Sequence, residues 1–477
     1  MPPRARRGNL TLRIAAALPA AAGVTLALPS AALAHTLSDR YQAPLPLVVY
    51  IAGAALAVAM SFVFVMMRSS GPERSAASEV SRPRTVPSWL RALLATIGIV
   101  AWIWIVAQTL FGGAGDGDVA SLFLWNYGWV GVALISALLG PAWAWIDPFT
   151  TLHRALGWVG GRLGLSGGEP ADWPEHLALW PAVVAFAVVV WIELVARIGG
   201  GRTLGLLLIA YTFVTLAGMS YFGRQAWRRN GEIFSVWFGI LGRLAPIELV
   251  GEPEDGLVRR RLFGSGLLAG GWSVDQLVII TLATGAIIYD GLSQTQVYFD
   301  LFGGVDVFGL PILRDTLVAT GFLGGLVLLV LLVSRRLDVP ALCAGLLPVA
   351  VGYLIAHYLT YLLVDGQRII AAINDPLLRG DNLLPLDLAF YEPVPFLPAA
   401  VVWSIQLASV VGGHVVGAWA GHAALADDAA LAEDPDLDEG TTRSRLLAQL
   451  PLAALMVSLT SLTLWSLGQA VLIPVTT

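Results

Sequence analysis

Ten stretches of the chain carry apolar side chains almost without interruption: 47–67, 91–111, 119–140, 177–197, 203–222, 273–291, 315–333, 341–363, 399–421 and 449–471. An α-helix rises about 1.5 Å per residue, so each stretch is long enough to cross a hydrocarbon core about 30 Å thick. None shows the strict two-residue alternation of a half-buried strand. The pattern predicts an all-α fold, a polytopic transmembrane helix bundle of about ten spans. A further apolar run at 14–28 follows Arg4, Arg6, Arg7 and Arg13 and precedes Ala32-Leu33-Ala34. A basic start, a short apolar run and small residues two apart are the marks of a cleavable signal peptide. The expected organisation is therefore a signal peptide over 1–34 and one integral membrane domain over 35–477, with His35 as the mature N-terminus.

The polar segments between the spans fix an orientation. With His35 outside, the inner loops carry 18 arginines and the outer segments only 6, counted beyond the signal region. Basic residues concentrate on the cytoplasmic side of membrane proteins, and the reverse orientation inverts the ratio. The expected location is the plasma (inner) membrane. Two inner stretches are more than linkers. Residues 149–163 alternate Arg154 and Arg162 with Leu and Trp, the signature of a helix lying on the membrane surface. Residues 232–244 are apolar but too short to span, and read as interfacial or re-entrant. The inner loop 423–443 is acidic and reads as solvated, whereas the outer segment 366–396, rich in Pro and Leu, reads as a lid. The five-plus-five division permits an inverted repeat of the transporter kind, but no sequence repeat is visible.

Composition agrees and excludes several functions. The chain of 477 residues is 57% hydrophobic and 13% charged, so the lipid bilayer is its main partner. A net charge of −5 supplies no basic field for nucleic acid. All 28 basic residues are Arg. The single cysteine, Cys343, excludes an internal disulfide and an Fe–S centre. Neither a GxxxxGK phosphate loop nor a dinucleotide-binding glycine turn is present, which argues against a nucleotide-driven pump.

Ionisable residues inside spans are costly and therefore mark candidate sites. Tyr353, His357, Tyr361 and Asp365 recur every four residues in the eighth span, a stripe on one helical face. Glu193 ends the fourth span among Trp191, Ile192, Leu194 and Val195, and Asp290 follows Tyr289 at the end of the sixth. If those helices adjoin, Glu193, Asp290 and His357 converge below the outer surface as a pocket for a proton path or for a transition metal such as Zn or Cu. The plainer reading has these groups bonding neighbouring helices and locking the packing. The ninth span carries His414 and His422, with Gly413, Gly417 and Gly421 marking a face of close helix approach. His357 and His414 lie at different depths and do not form an axial haem pair. A mature N-terminus at His35 pairs an imidazole with a free amine, a chelating set for Cu(II). No nucleophile–base pair, GxSxG elbow or HExxH motif is present.

Four segments, AHTLSDRYQAPLPL, NGEIFSVWFGILGRLAP, AHYLTYLLVDGQRII and GGHVVGAWAGH, resemble a largely uncharacterised family of bacterial and archaeal polytopic membrane proteins. Some of its members are labelled fenitrothion hydrolase. The resemblance implies phosphotriester hydrolysis at the membrane, for which a metal-bound hydroxide is the natural nucleophile. A bridging carbamylated lysine, as used by soluble phosphotriesterases, is impossible in a chain without Lys. Three readings follow: a transporter or metal-handling protein with an outward-facing His/Tyr/carboxylate pocket, a membrane-embedded metal-dependent hydrolase using the same residues, or a structural or assembly subunit.

Overall fold

The computed structural model describes residues 52–54, 56, 60, 81–113, 121–164, 168–384, 393–431 and 454–465. The signal peptide, His35, most of the first span and the acidic segment beyond Leu431 lie outside these residues. In chain order, the helices that matter below begin with α1 (Ser88–Phe111). A π-helical stretch, Ser121–Gly131, then runs into α2 (Val132–Leu138). They continue with α3 (Pro148–Arg162), α4 (Trp180–Leu194), α5 (Gly201–Phe222), α6 (Arg224–Asn230), α7 (Ile233–Leu241) and α8 (Val274–Ser293). The last are α9 (Pro311–Val333), α10 (Val339–Val364), α11 (Ala399–Leu431) and α12 (Ala454–Trp465).

Seven helices among the described residues are long and apolar enough to cross a membrane: α1, α4, α5, α8, α9, α10 and α11. Two shorter apolar helices, Leu122–Leu138 and α12, lie within the stretches expected as the third and tenth spans but are below spanning length among the described residues. The chain is thus a helical membrane protein. Loops expected on opposite sides of the membrane sit at opposite ends of α1. At the N-terminal end Arg91 Nη1 donates to Glu254 O at 2.9 Å. At the other end, Leu110 O accepts from Arg202 at 3.3 Å and Phe111 O accepts from Arg379 Nε at 3.2 Å.

Burial sorts the spans. The most apolar window of α10 is 83% buried, against 11% for α1 and α9, so α10 is the axis and the other two face lipid. Its closest partner is α11. An added Cβ on Gly413 would stand 2.6 Å from Pro348 O, and one on Gly417 would strike Gly345 O. From the other side, a Cβ on Gly352 would strike Ser409 O. Backbone meets backbone here because both helices present glycine at the crossing, the small-residue packing of membrane helices. Gly421 is also buried.

Three features depart from the reading of the sequence. First, α11 runs on to Leu431 rather than ending near 421. The segment Ala423-Ala424-Leu425-Ala426-Asp427-Asp428-Ala429-Ala430-Leu431 is dominated by strong helix formers, whose propensity carries the helix into the acidic segment. Second, α7, expected to be interfacial or re-entrant, departs from the interfacial alternative. Ile233, Phe234, Val236, Trp237, Phe238, Ile240 and Leu241 are all buried, and the helix packs against α2 and α4. A half-length helix at membrane depth is tolerated where protein surrounds it. Third, the end of the bundle at the N-terminus of α1, expected to be the inner end, carries a small antiparallel sheet of order β1-β3-β2, comprising β1 (Arg84–Thr85), β2 (Ile247–Val250) and β3 (Leu257–Arg260). Strands β2 and β3 flank the turn Pro253-Glu254-Asp255-Gly256, where Gly256 takes a left-handed φ of 66°. The tip of this hairpin gathers three helices: the Glu254 carbonyl takes Arg91 of α1, and its carboxylate meets Arg154 of α3 at 3.0 Å and Arg228 of α6 at 3.8 Å. Helix α3 is itself capped by Asp147, which accepts from Phe149 N at 2.8 Å. It leaves Leu156, Trp158, Val159 and Leu163 exposed, the apolar face of a surface helix.

Candidate functional site

Helix α8 packs against both α4 and α10, and the C-terminal parts of α4, α8 and α10 carry Glu193, Asp290 and His357 respectively. All three are buried, at 8%, 6% and 5% exposure, which matters because each is an ionisable group in an apolar bundle. His357 Nε2 lies 2.8 Å from Asp290 Oδ2. The Tyr358 hydroxyl donates to the same oxygen at 3.4 Å, and Gln294 Nε2 donates to Asp290 Oδ1 at 2.9 Å. Glu193 interacts electrostatically with Asp290, and Tyr358 feels both carboxyls. The arrangement is a carboxylate–imidazole pair with a second acid and a phenol beside it. One proton placed between Asp290 and His357 makes either a neutral pair or an ion pair with almost no movement of heavy atoms. Such a pair exchanges protons readily.

Local sequence explains why these groups meet. Glu193 and Asp290 each occupy the last turn of a span, where Ile192 and Leu194 or Ile288 and Tyr289 keep the surroundings apolar. His357 lies seven residues before the end of α10, about 10 Å below it along the axis. The eighth-span stripe does not act as one unit. Residues four apart on a helix advance about 40° around the axis at each step, and α10 has different neighbours on its two sides. Tyr353, fully buried, turns to α11, where its hydroxyl lies 3.3 Å from His414 Nε2. His414 Nδ1 is 2.8 Å from Val410 O. A carbonyl only accepts, so Nδ1 is the donor in that contact. Tyr361 adjoins Tyr358 and offers its carbonyl to Asn126 Nδ2 at 3.1 Å. Asp365 caps α10 at the surface and faces Arg368 at 3.8 Å. The structure joins Asp290 and His357, sets Glu193 within electrostatic reach of Asp290 and Tyr361 within reach of Tyr358, and places Tyr353 and Asp365 elsewhere.

The metal expectation at His357 meets a specific geometry: its Nε2 is engaged by Asp290 at hydrogen-bond distance. Among the described residues no group of three or more His, Cys, Asp or Glu converges as a metal-binding set. His35, the other candidate ligand, lies outside the described residues.

Several polar residues went unnoticed in the sequence. Tyr358 and Gln294 complete the Asp290 shell, yet a Tyr beside a His and a Gln after a span carry no periodic signal. Asn126 is fully buried in the π-helical stretch that packs on α10, and its Oδ1 has no hydrogen-bond partner. Single amide side chains in long apolar runs, and π-helical geometry itself, are the signals that identify such a position. At the inner end Glu232 is fully buried and accepts from Tyr211 Oη at 2.5 Å, Ser235 N at 2.7 Å, Phe234 N at 3.0 Å and Trp143 Nε1 at 3.2 Å. Nearby, Asp147 faces Arg228 at 3.5 Å, both buried. Comparisons with family models, with curated proteins and with solved structures find no match for this chain.

Proposed function

We propose that the protein is a multi-pass transporter that carries protons through Glu193, Asp290, His357 and Tyr358, opening to the outer face of the plasma membrane. The observation that carries this reading is the 2.8 Å His357–Asp290 contact, buried between spans with a second acid beside it. Magnitudes favour function over packing. An ionisable side chain within a membrane helix is costly, about 2.5–3.5 kcal/mol at its centre and less toward its ends, where Glu193 and Asp290 lie. A hydrogen bond between membrane helices returns on average only ~0.6 kcal/mol. Three such groups held together for packing alone are a poor exchange against apolar residues of the same size. A relay that must take up and release a proton needs them.

The test is proton flux in liposomes holding purified protein and a trapped pH-sensitive dye. A potassium diffusion potential, negative inside, should acidify the lumen faster than in protein-free liposomes. Asp290→Asn and His357→Gln should bring the rate down to the protein-free level while thermal unfolding stays close to wild type. A wild-type rate equal to that of empty liposomes, or an Asp290→Asn variant as fast as wild type, rules the reading out.

A further inference from the structure

The inner end of the bundle holds a cavity of about 490 Å³, half open, whose lining is cationic. Arg228, Arg229, Arg243 and Arg261 border it with two acids, Glu248 and Glu252, and Arg228 also faces Asp147 at 3.5 Å and Glu254 at 3.8 Å. The two lining acids are already engaged: Glu248 by Arg261 at 2.6 Å and by Arg259 at 2.5 Å, and Glu252 by Arg229. Arg243 has no carboxylate partner among the described residues. Its guanidinium is stacked on Trp272, 3.8 Å from the ring centroid, and Nη2 donates to Gly270 O. Nη1 is buried and has no hydrogen-bond partner.

Three more polar atoms of the lining are buried without a hydrogen bond: Ser136 Oγ, Ser235 Oγ and Arg228 Nε. Ser136 is fully buried and Arg228 is 8% exposed. The nearest acid to Arg228 Nε, Asp147, stands 3.5 Å away as an ion pair without hydrogen-bond geometry. Buried polar atoms normally hold a hydrogen-bond partner, and among the described residues the protein itself supplies none to these four. All four are able to donate, and two of them can do nothing else. The complement of such a set is a compact anion with several oxygen acceptors, for which guanidinium forks and hydroxyls are the usual recognition groups.

We infer that this cavity binds a phosphate group, with Arg243, Arg228, Ser136 and Ser235 as its donors. The phosphate belongs either to a lipid of the inner leaflet, beside which the surface helix α3 places this end of the bundle, or to a water-soluble phosphorylated solute. The inference does not depend on the proton pathway, which lies at the opposite ends of α4 and α8.

The test uses the full-length protein purified in a phosphate-free, uncharged detergent. Two probes separate the sources. Glycerol 3-phosphate is titrated by calorimetry, and retained phosphatidylglycerol is counted by native mass spectrometry after transfer from nanodiscs containing it. Saturable binding of glycerol 3-phosphate assigns a soluble ligand; retention of phosphatidylglycerol without such binding assigns a lipid. In either case Arg243→Gln should weaken the interaction about tenfold or more, as expected for loss of a charge-assisted hydrogen bond. Ser136→Ala keeps the result interpretable should Arg243→Gln fold poorly. Removing a buried, unpaired hydroxyl should leave thermal stability unchanged or slightly higher, yet weaken phosphate binding severalfold. Binding of neither probe overturns the inference, and so does equal binding by wild type and Ser136→Ala.

Discussion

At the scale of single residues, Glu232 shows how a side chain in a loop can matter as much as one in a span. Its two oxygens take four donors, two from the first turn of α7 and two from Trp143 and Tyr211. In Glu232→Gln an amide NH₂ replaces one oxygen, and on either side it meets at least one N–H it cannot accept. The substitution should destabilise the protein by about 1–3 kcal/mol, read as a fall in the unfolding temperature in detergent. The pH dependence has a definite sign. Burial, with Asp147 adding to it, raises the Glu232 carboxyl above its ordinary value of 4.5. A raised acid contributes stability that is complete below pH 4.5 and is lost as pH rises through the folded-state value. The gap in unfolding temperature between wild type and Glu232→Gln should therefore be widest in acid and narrow as pH rises; a gap that widens toward alkaline pH refutes this. None of it was legible in the sequence, because a Glu in a polar loop is ordinary. Glu193, Asp290 and His357 were legible for the opposite reason: an ionisable residue within an apolar run is rare enough to stand out alone.

At the scale of elements, the α10–α11 crossing sets the geometry of the whole axis. Gly413 has backbone from Pro348 and Gly352 within 3.3 Å of a prospective Cβ, whereas the neighbouring Gly412 has nothing within 4 Å. Gly413→Ala must push two backbones apart, and overpacking of this kind costs about 1–3 kcal/mol. Gly412→Ala should be silent or slightly stabilising, since it loses only the entropy disadvantage of glycine in a helix. A thermal-shift comparison of the two variants tests the crossing without reference to activity; equal effects would contradict it. The glycine spacing in GGHVVGAWAGH made this face readable. The polar stripe of α10 was readable as a stripe but not in its partners. Periodicity places side chains around one helix and is silent about which neighbour each will meet, so Tyr353 and His357 were joined in one set although they serve different interfaces. The sheet was hidden because Ile247–Val250 and Leu257–Arg260 are short beside the spans around them. The burial of α7 was hidden because its length argues equally for a surface helix and for one enclosed by protein.

At the scale of the whole molecule, the separation of the two ends of α1 turns a charge count into a topology. The hairpin tip at Glu254 draws in Arg91, Arg154 and Arg228 at one end, while Arg202 and Arg379 hold the other. Arg91, Arg154 and Arg228, all read as inner from the sequence, are thus gathered at one hairpin beside α3. We therefore expect residues 423–443 in the cytoplasm and residues 366–396 outside, by the positive-inside rule. The rule counts arginines close to the membrane in short loops, which is where Arg91, Arg154, Arg224, Arg228, Arg229, Arg243 and Arg259 to Arg261 lie. Paired reporters decide the matter: alkaline phosphatase, active only outside, and green fluorescent protein, fluorescent only inside. Fusion within 432–443 should fluoresce and lack phosphatase activity, and fusion within 385–392 should do the reverse. The same assignment puts the Glu193–Asp290–His357 cluster near the outer face and the arginine cavity near the inner one. A reversed pair of signals would exchange those faces, so that protons would reach the cluster from the cytoplasm and the phosphate would come from the opposite leaflet. Equal signals at both sites would mean an odd number of spans is missing between them, and would refute the bundle as described.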